Sequence, residues 1–122
     1  MSTRLEVDRF FAGNPVGLEA YARMEGLLAR LGPYEVRVTR SQVAFRGRRG
    51  FAYLWLPDRW LRGEVSPVVL SIGLDRPIRT ARFKEVVQPA PSRWMHHLEI
   101  SSANEIDEEV SGWLADAYRW GG

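Results

Sequence analysis

Arg93-Trp94-Met95-His96-His97-Leu98-Glu99-Ile100, followed closely by Ser102-Ala103-Asn104-Glu105, is the stretch that decides the fold. A strand repeats every two residues, so Trp94, His96, Leu98 and Ile100 share one face and Met95, His97 and Glu99 the other. Ser102 and Glu105 have the spacing of a capping box, in which a hydroxyl and a carboxylate each bind a free backbone N–H at a helix start. Beyond it Ile106, Val110, Trp113, Leu114 and Ala117 line one side of a helix. Asp107, Glu108 and Glu109 occupy its first turns, where the positive end of the helix dipole favours them. Gly121-Gly122 ends it. The chain therefore closes as a half-buried strand feeding an amphipathic helix.

Working back towards the N-terminus, two more helices and several strands appear. Thr3-Arg4-Leu5-Glu6 has capping-box spacing and opens a short helix that Gly13 ends. Asn14 caps a second helix with Pro15 at its first position, where a missing N–H costs little. Tyr21, Met24, Leu27, Leu28 and Leu31 form its apolar face, and Gly32-Pro33 stops it. Tyr34, Val36 and Val38 alternate with polar residues, as do Val43 and Phe45. Gly47 to Gly50 reads as a basic hairpin. Phe51 to Leu56 is apolar on both faces, which suits a central strand. Asp58 to Ser66 reads as a loop or helical turn. Val68, Leu70, Ile72 and Leu74 alternate again, and Phe83 to Gln88 is a short strand closed by Pro89 and Pro91.

Hairpin-length connections imply antiparallel pairing. The expected fold is a single α+β domain over residues 1–122. It has an antiparallel sheet of five or six strands, with two N-terminal helices and one C-terminal helix packed mainly on one face. Val36, Val38, Leu54, Leu70, Ile72, Ile100, Leu27, Leu28, Val110, Trp113 and Leu114 should supply much of the core.

Composition narrows the function. The 122 residues include no cysteine, which removes disulfides, thiol catalysis and Cys-ligated metal and fits a reducing compartment. Asp8 and Glu6 interrupt the N-terminal apolar positions, so no signal-peptide core is expected. No run approaches the roughly 18 apolar residues of a membrane span. A cytoplasmic protein without membrane attachment is expected. Charge is unevenly laid out: residues 36–93 carry 12 basic and 4 acidic side chains, whereas residues 94–122 carry 1 and 6. An anionic partner would be drawn to the middle of the chain. Sixteen of the seventeen basic residues are Arg, which GC-rich coding would explain equally well.

Catalytic patterns are sparse. His97 and Glu99 could approach a metal together, but two ligands are too few and no third has suitable spacing. No metal or cofactor is expected. His96 shares a face with Leu98 and Ile100, so a buried neutral imidazole bonded to a carbonyl is the plain reading and ligand contact the functional one. Ser71, Thr39 and Ser92 are not grouped with a histidine by spacing, and there is no nucleophile elbow, Walker loop or dinucleotide fingerprint. The carboxylates from Glu105 to Glu109 read as a solvated helix start. More suggestive are Arg48, Arg49, Phe51, Tyr53 and Trp55 on one hairpin and strand. Facing solvent, the rings would form a stacking platform beside phosphate-binding arginines; facing the helices, they are core.

Two family resemblances meet on that segment. Arg49-Gly50-Phe51-Ala52-Tyr53-Leu54-Trp55-Leu56 resembles the RNP1 pattern of RNA-recognition domains, and Phe11 to Pro15 resembles their RNP2 strand. Tyr53 and Leu56 depart from RNP1, and residues 57–100 supply two or three strands where that fold needs a helix and one strand. The second resemblance covers nearly the whole chain, to the bacterial domain of unknown function 5655 family. Its pattern is matched by Phe11-Ala12-Gly13-Asn14-Pro15, Leu31-Gly32, Thr39-Arg40 leading to Phe45, and Arg48-Arg49 before Phe51-Ala52. Arg93-Trp94-Met95-His96, Ile106-Asp107, Trp113-Leu114 and Ala117-Tyr118 continue it in order. Departures are Gly50, inserted before Phe51, and His97, where the family has Arg. The resemblance implies a fold but no established activity, so it carries over no catalytic residue.

The leading expectation is a non-enzymatic module that binds an anionic small molecule or protein partner on the sheet face away from the helices. Arg46, Arg48, Arg49, Arg82 and Arg93 would supply charge-assisted bonds, Phe51 and Tyr53 stacking, and His96 a donor. Five tryptophans, with Trp60 and Trp120 the most exposed, motivate the alternative of a homodimer or accessory interaction domain. RNA binding, and an enzyme using His96 or His97 as acid–base, rank below both.

Overall fold

The structure is a computed structural model that describes residues 3–57 and 66–122. Helices α1 (Thr3–Phe10) and α2 (Pro15–Ala29) precede strands β1 (Glu35–Val38), β2 (Gln42–Arg46), β3 (Gly50–Trp55), β4 (Val68–Leu74), β5 (Glu85–Ala90) and β6 (Arg93–Ile100). A short 3-10 turn (Ala103–Glu105) leads to α3 (Glu108–Gly121). The strands form one six-stranded sheet in the order β1-β2-β3-β4-β6-β5, and every neighbouring pair is antiparallel. This is the expected α+β architecture. The loop or turn expected over Asp58–Ser66, with Trp60, falls almost wholly outside the described residues.

Local chemistry explains the helix boundaries. Gly13 takes a φ of 75°, a conformation that side chains disfavour, and so ends the first helical segment. Asn14 then caps α2: its side chain accepts from Gly17 N at 3.0 Å and donates to Pro67 O at 2.9 Å, tying the helix start to the entry of β4. The Ser102–Glu105 capping box forms, but it caps the 3-10 turn rather than α3. The cap of α3 is Asp107, whose carboxylate accepts from Val110 N at 3.1 Å. Two start signals five residues apart each nucleate their own turn.

The helices cover one face of the sheet. Tyr21, Met24 and Leu28 from α2 and Val110, Leu114 and Ala117 from α3 join Val43, Phe45, Leu54, Leu70, Ile72, Leu98 and Ile100 in a single core. Val36, Val38, Leu27 and Trp113 pack against it half-buried, while Leu31 lies past the covered region and is 40% exposed. Phe51 reaches the same core through an irregularity. Phe45 pairs with Ala52, yet Arg46 pairs with Gly50, so Phe51 is the extra residue of a β-bulge. Its ring meets Tyr118 of α3 edge-on at 5.6 Å.

Two other departures have simple causes. β5 continues through Pro89 to Ala90 instead of stopping before the proline. It is an edge strand, where a residue without an N–H removes no necessary ladder bond. The segment between β4 and β5 carries a clasp: Arg82 Nη1 lies 3.0 Å from Asp107 Oδ1 and 2.9 Å from Glu109 Oε1, and Nη2 donates to Glu105 O at 2.9 Å. It fastens the crossing loop to the start of α3. Arg82→Ala is expected to lower stability by about 1–2 kcal/mol, since charge-assisted bonds are lost from a partly exposed network. Urea unfolding with an unchanged slope would measure it, and an unchanged midpoint would mean that the clasp contributes nothing.

Candidate functional site

The face opposite the helices carries the site. Alternation and register place Gln42 from β2, Tyr53 and Trp55 from β3, Ser71 from β4, and Arg93, Met95 and His97 from β6 on that side. With Ser41 they line a groove of about 470 Å³.

One end of the groove is built around a guanidinium. Arg93 Nη2 donates to the Tyr53 hydroxyl at 3.0 Å. Arg93 Nε is buried and has no hydrogen-bond acceptor among the described residues. A buried donor without a partner is costly, and an oxygen that reached this N–H on a small shift of the side chains around it would relieve that cost. Gly50 makes the arrangement possible. A Cβ there would collide with the Tyr53 hydroxyl, so the glycine makes room for the phenol that holds Arg93.

The other end is a hydrogen-bonded chain across three strands. Trp55 Nε1 donates to Ser71 Oγ at 2.7 Å, and Ser71 Oγ lies 2.6 Å from His97 Nδ1. His97 Nε2 faces Glu85 Oε1 at 3.9 Å. The Trp55 ring also meets the imidazole edge-on at 5.8 Å. Burial pushes the His97 pKa below its ordinary value, and the Glu85 charge opposes that shift in part. The group is therefore a neutral imidazole at pH 7. Serine beside histidine suggests a nucleophile, but the indole N–H already engages the serine oxygen. Ser71 also sits in a central strand paired on both sides, so its backbone N–H is committed to the sheet rather than to an oxyanion. The array is suited to holding a polar ligand.

The eight side chains expected to bind are dispersed. Tyr53 and Arg93 meet in the groove. Phe51 is fully buried on the helix side. His96 is fully buried too: its Nδ1 is 3.0 Å from Ile72 O, and its Nε2 accepts from Ile78 N at 3.0 Å. Arg49 donates to Trp120 O at 2.8 Å and stacks on the Trp120 ring at 3.8 Å. Arg82 serves the α3 clasp. Arg48 is exposed in the β2–β3 hairpin, and half-buried Arg46 ends β2 opposite Gly50. Neither lines the groove. Ser71 and His97 are direct cross-strand partners, and with Trp55, Gln42, Ser41 and Met95 they complete it. Spacing in the sequence does not reveal that pairing, because β5 intervenes between β4 and β6.

No group of three or more potential metal-ligating side chains occurs among the described residues, and no described helix is long and apolar enough to cross a membrane. No curated protein and no solved structure matches the chain. A family model does, that of the domain of unknown function 5655, across residues 7–121. A match spanning α2, the whole sheet and α3 covers every described element that builds the groove, and on that ground the chain belongs to the domain of unknown function 5655 family.

Proposed function

We propose that this protein is a non-enzymatic binding module whose sheet groove takes a small molecule bearing a carboxylate or phosphate. The observation that carries the reading is the buried, acceptor-free Nε of Arg93 in a groove walled by Tyr53 and Trp55. A guanidinium with an unused N–H matches the oxygens of such an anion, and the two aromatic side chains offer apolar surface for the rest of the ligand. The reading places the protein in the bacterial cytoplasm, consistent with a chain without cysteine.

Calorimetric titration with phenyl phosphate, benzoate and a short single-stranded RNA, at low and moderate salt, tests it. Binding of a small anion is expected to weaken with salt. Arg93→Gln should weaken it about tenfold or more, because charge-assisted bonds to the anion are lost. Absence of salt-sensitive binding to either small anion would refute the proposal. Tighter binding of the RNA than of both would replace it with the nucleic-acid reading.

A further inference from the structure

The hydrogen-bonded Trp55–Ser71–His97 chain takes its direction from the indole at one end, with the Glu85 charge beyond the other. An indole N–H can only donate, so Ser71 Oγ accepts from Trp55 and keeps its own hydrogen for another acceptor. The Glu85 carboxylate can only accept, and it faces His97 Nε2. At 3.9 Å that carboxylate is beyond hydrogen-bond reach, but its charge favours a proton on Nε2; with the indole occupying one side of Ser71 Oγ, Nδ1 at 2.6 Å is the acceptor to which the serine hydrogen points. The hydrogen of Ser71 is thus spent inside the chain and is not available to a ligand.

Adding a proton to His97 reverses this. Nδ1 becomes a donor, and Ser71 Oγ must accept from both Trp55 and His97. The serine hydrogen has to rotate away, and the groove that Ser71 lines is where it can go. Resting on the anion-binding reading above, we propose that the groove binds its anion together with a proton. Protonated His97 turns the Ser71 hydroxyl outward as a donor to an acceptor oxygen of a ligand whose anionic group is held by Arg93. The ligand class is then a small anion with a second, neutral oxygen acceptor.

The surroundings of His97 are compatible with a gain of charge. Glu85 from β5 faces its Nε2. Glu99 on its own strand is 3.5 Å from Lys84, which offsets part of its field. Trp55 from β3 and Ser71 from β4 are neutral, as is its neighbour His96, whose pKa burial lowers. Arg93 lines the same groove, and an anion held beside it would add negative charge that favours a protonated His97. The free protein holds His97 neutral mainly through desolvation, so uptake of its proton is deferred until the anion arrives.

The test uses 4-acetylbenzenesulfonate, whose charge is fixed across the range and whose ketone supplies the acceptor. Affinity should rise as pH falls from 8.5 to 5, by roughly tenfold for each unit by which the ligand raises the His97 pKa. The NMR titration midpoint of His97 should move upward when the ligand is present. His97→Gln should abolish the pH dependence, whatever its effect on the affinity at pH 8.5. Ser71→Ala should show a smaller gain on acidification than wild type. Arg93-dependent binding that is flat with pH, or a His97 midpoint indifferent to the ligand, would overturn the coupling and leave the binding reading intact. An equal gain in Ser71→Ala would overturn the hydroxyl reversal. Absence of binding at every pH would overturn both.

Discussion

Phe51→Ala is expected to destabilise the fold by about 3–5 kcal/mol while leaving the affinity of the folded protein for small anions nearly unchanged. The ring is fully buried and packs edge-on against Tyr118. Gly121 and Gly73 also lie close to this residue, and α3 closes over it. Removing the ring leaves a cavity between sheet and helix that backbone on both sides cannot readily collapse to fill. Chemical denaturation should show a lower midpoint, with the slope preserved if the native state stays compact. A stacking residue would give the opposite pattern, with stability within about 0.5 kcal/mol of wild type and weakened binding. That opposite result would place Phe51 at the ligand and remove the bulge from the account of the site.

The bulge also marks where reading from sequence stops. Strict alternation groups Phe51 with Tyr53 and Trp55, and two of those three do share the groove. One extra residue opposite Arg46 turns Phe51 to the other side, and nothing in the residue types announces it beyond the adjacent Gly50. Other elements were legible because their signals are local. Asn14-Pro15 starts α2 where expected, and Gly13 breaks the chain with a positive φ. The final helix was legible in position but not in its cap, since Asp107 competes with Ser102 for the role.

The groove was half legible for a related reason. Tyr53 and Arg93 can be named from residue type alone. Their contact, like that between Ser71 and His97, depends on β6 inserting between β4 and β5. Adjacent strands joined by a hairpin declare their register through the turn, whereas β4 and β6 are joined only through β5 and two connections. Their register is set by the core residues Val68, Leu70 and Ile72 opposite Ile100, Leu98 and His96. The polar partners on the other face then follow as a consequence of that packing.

His96→Ala is expected to cost about 2–4 kcal/mol at pH 7.5, and the difference from wild type should narrow on acidification. The Nε2 atom accepts from Ile78 N, so the ring proton resides on Nδ1 and is donated to Ile72 O. Alanine removes a ring packed 4.9 Å from Phe83 and leaves the Ile78 N–H without its acceptor. The pH dependence follows from protonation. Burial depresses the folded-state pKa, although the bond to Ile72 O opposes that shift. Above the unfolded value near 6.5, both states hold a neutral ring and the contribution of His96 is complete. Below it the unfolded chain takes up a proton that the folded chain refuses, because a donor at Nε2 would confront the Ile78 N–H. Stability is then lost as pH falls from about 6.5 through the folded-state pKa, by at most about 1.4 kcal/mol per unit for this one group. The alanine variant lacks the group and escapes that loss, so the two unfolding curves should approach each other between pH 7.5 and 5. A gap that stays constant over this interval would mean that His96 titrates alike in both states. A variant as stable as wild type but deficient in anion binding would return His96 from the core to the groove.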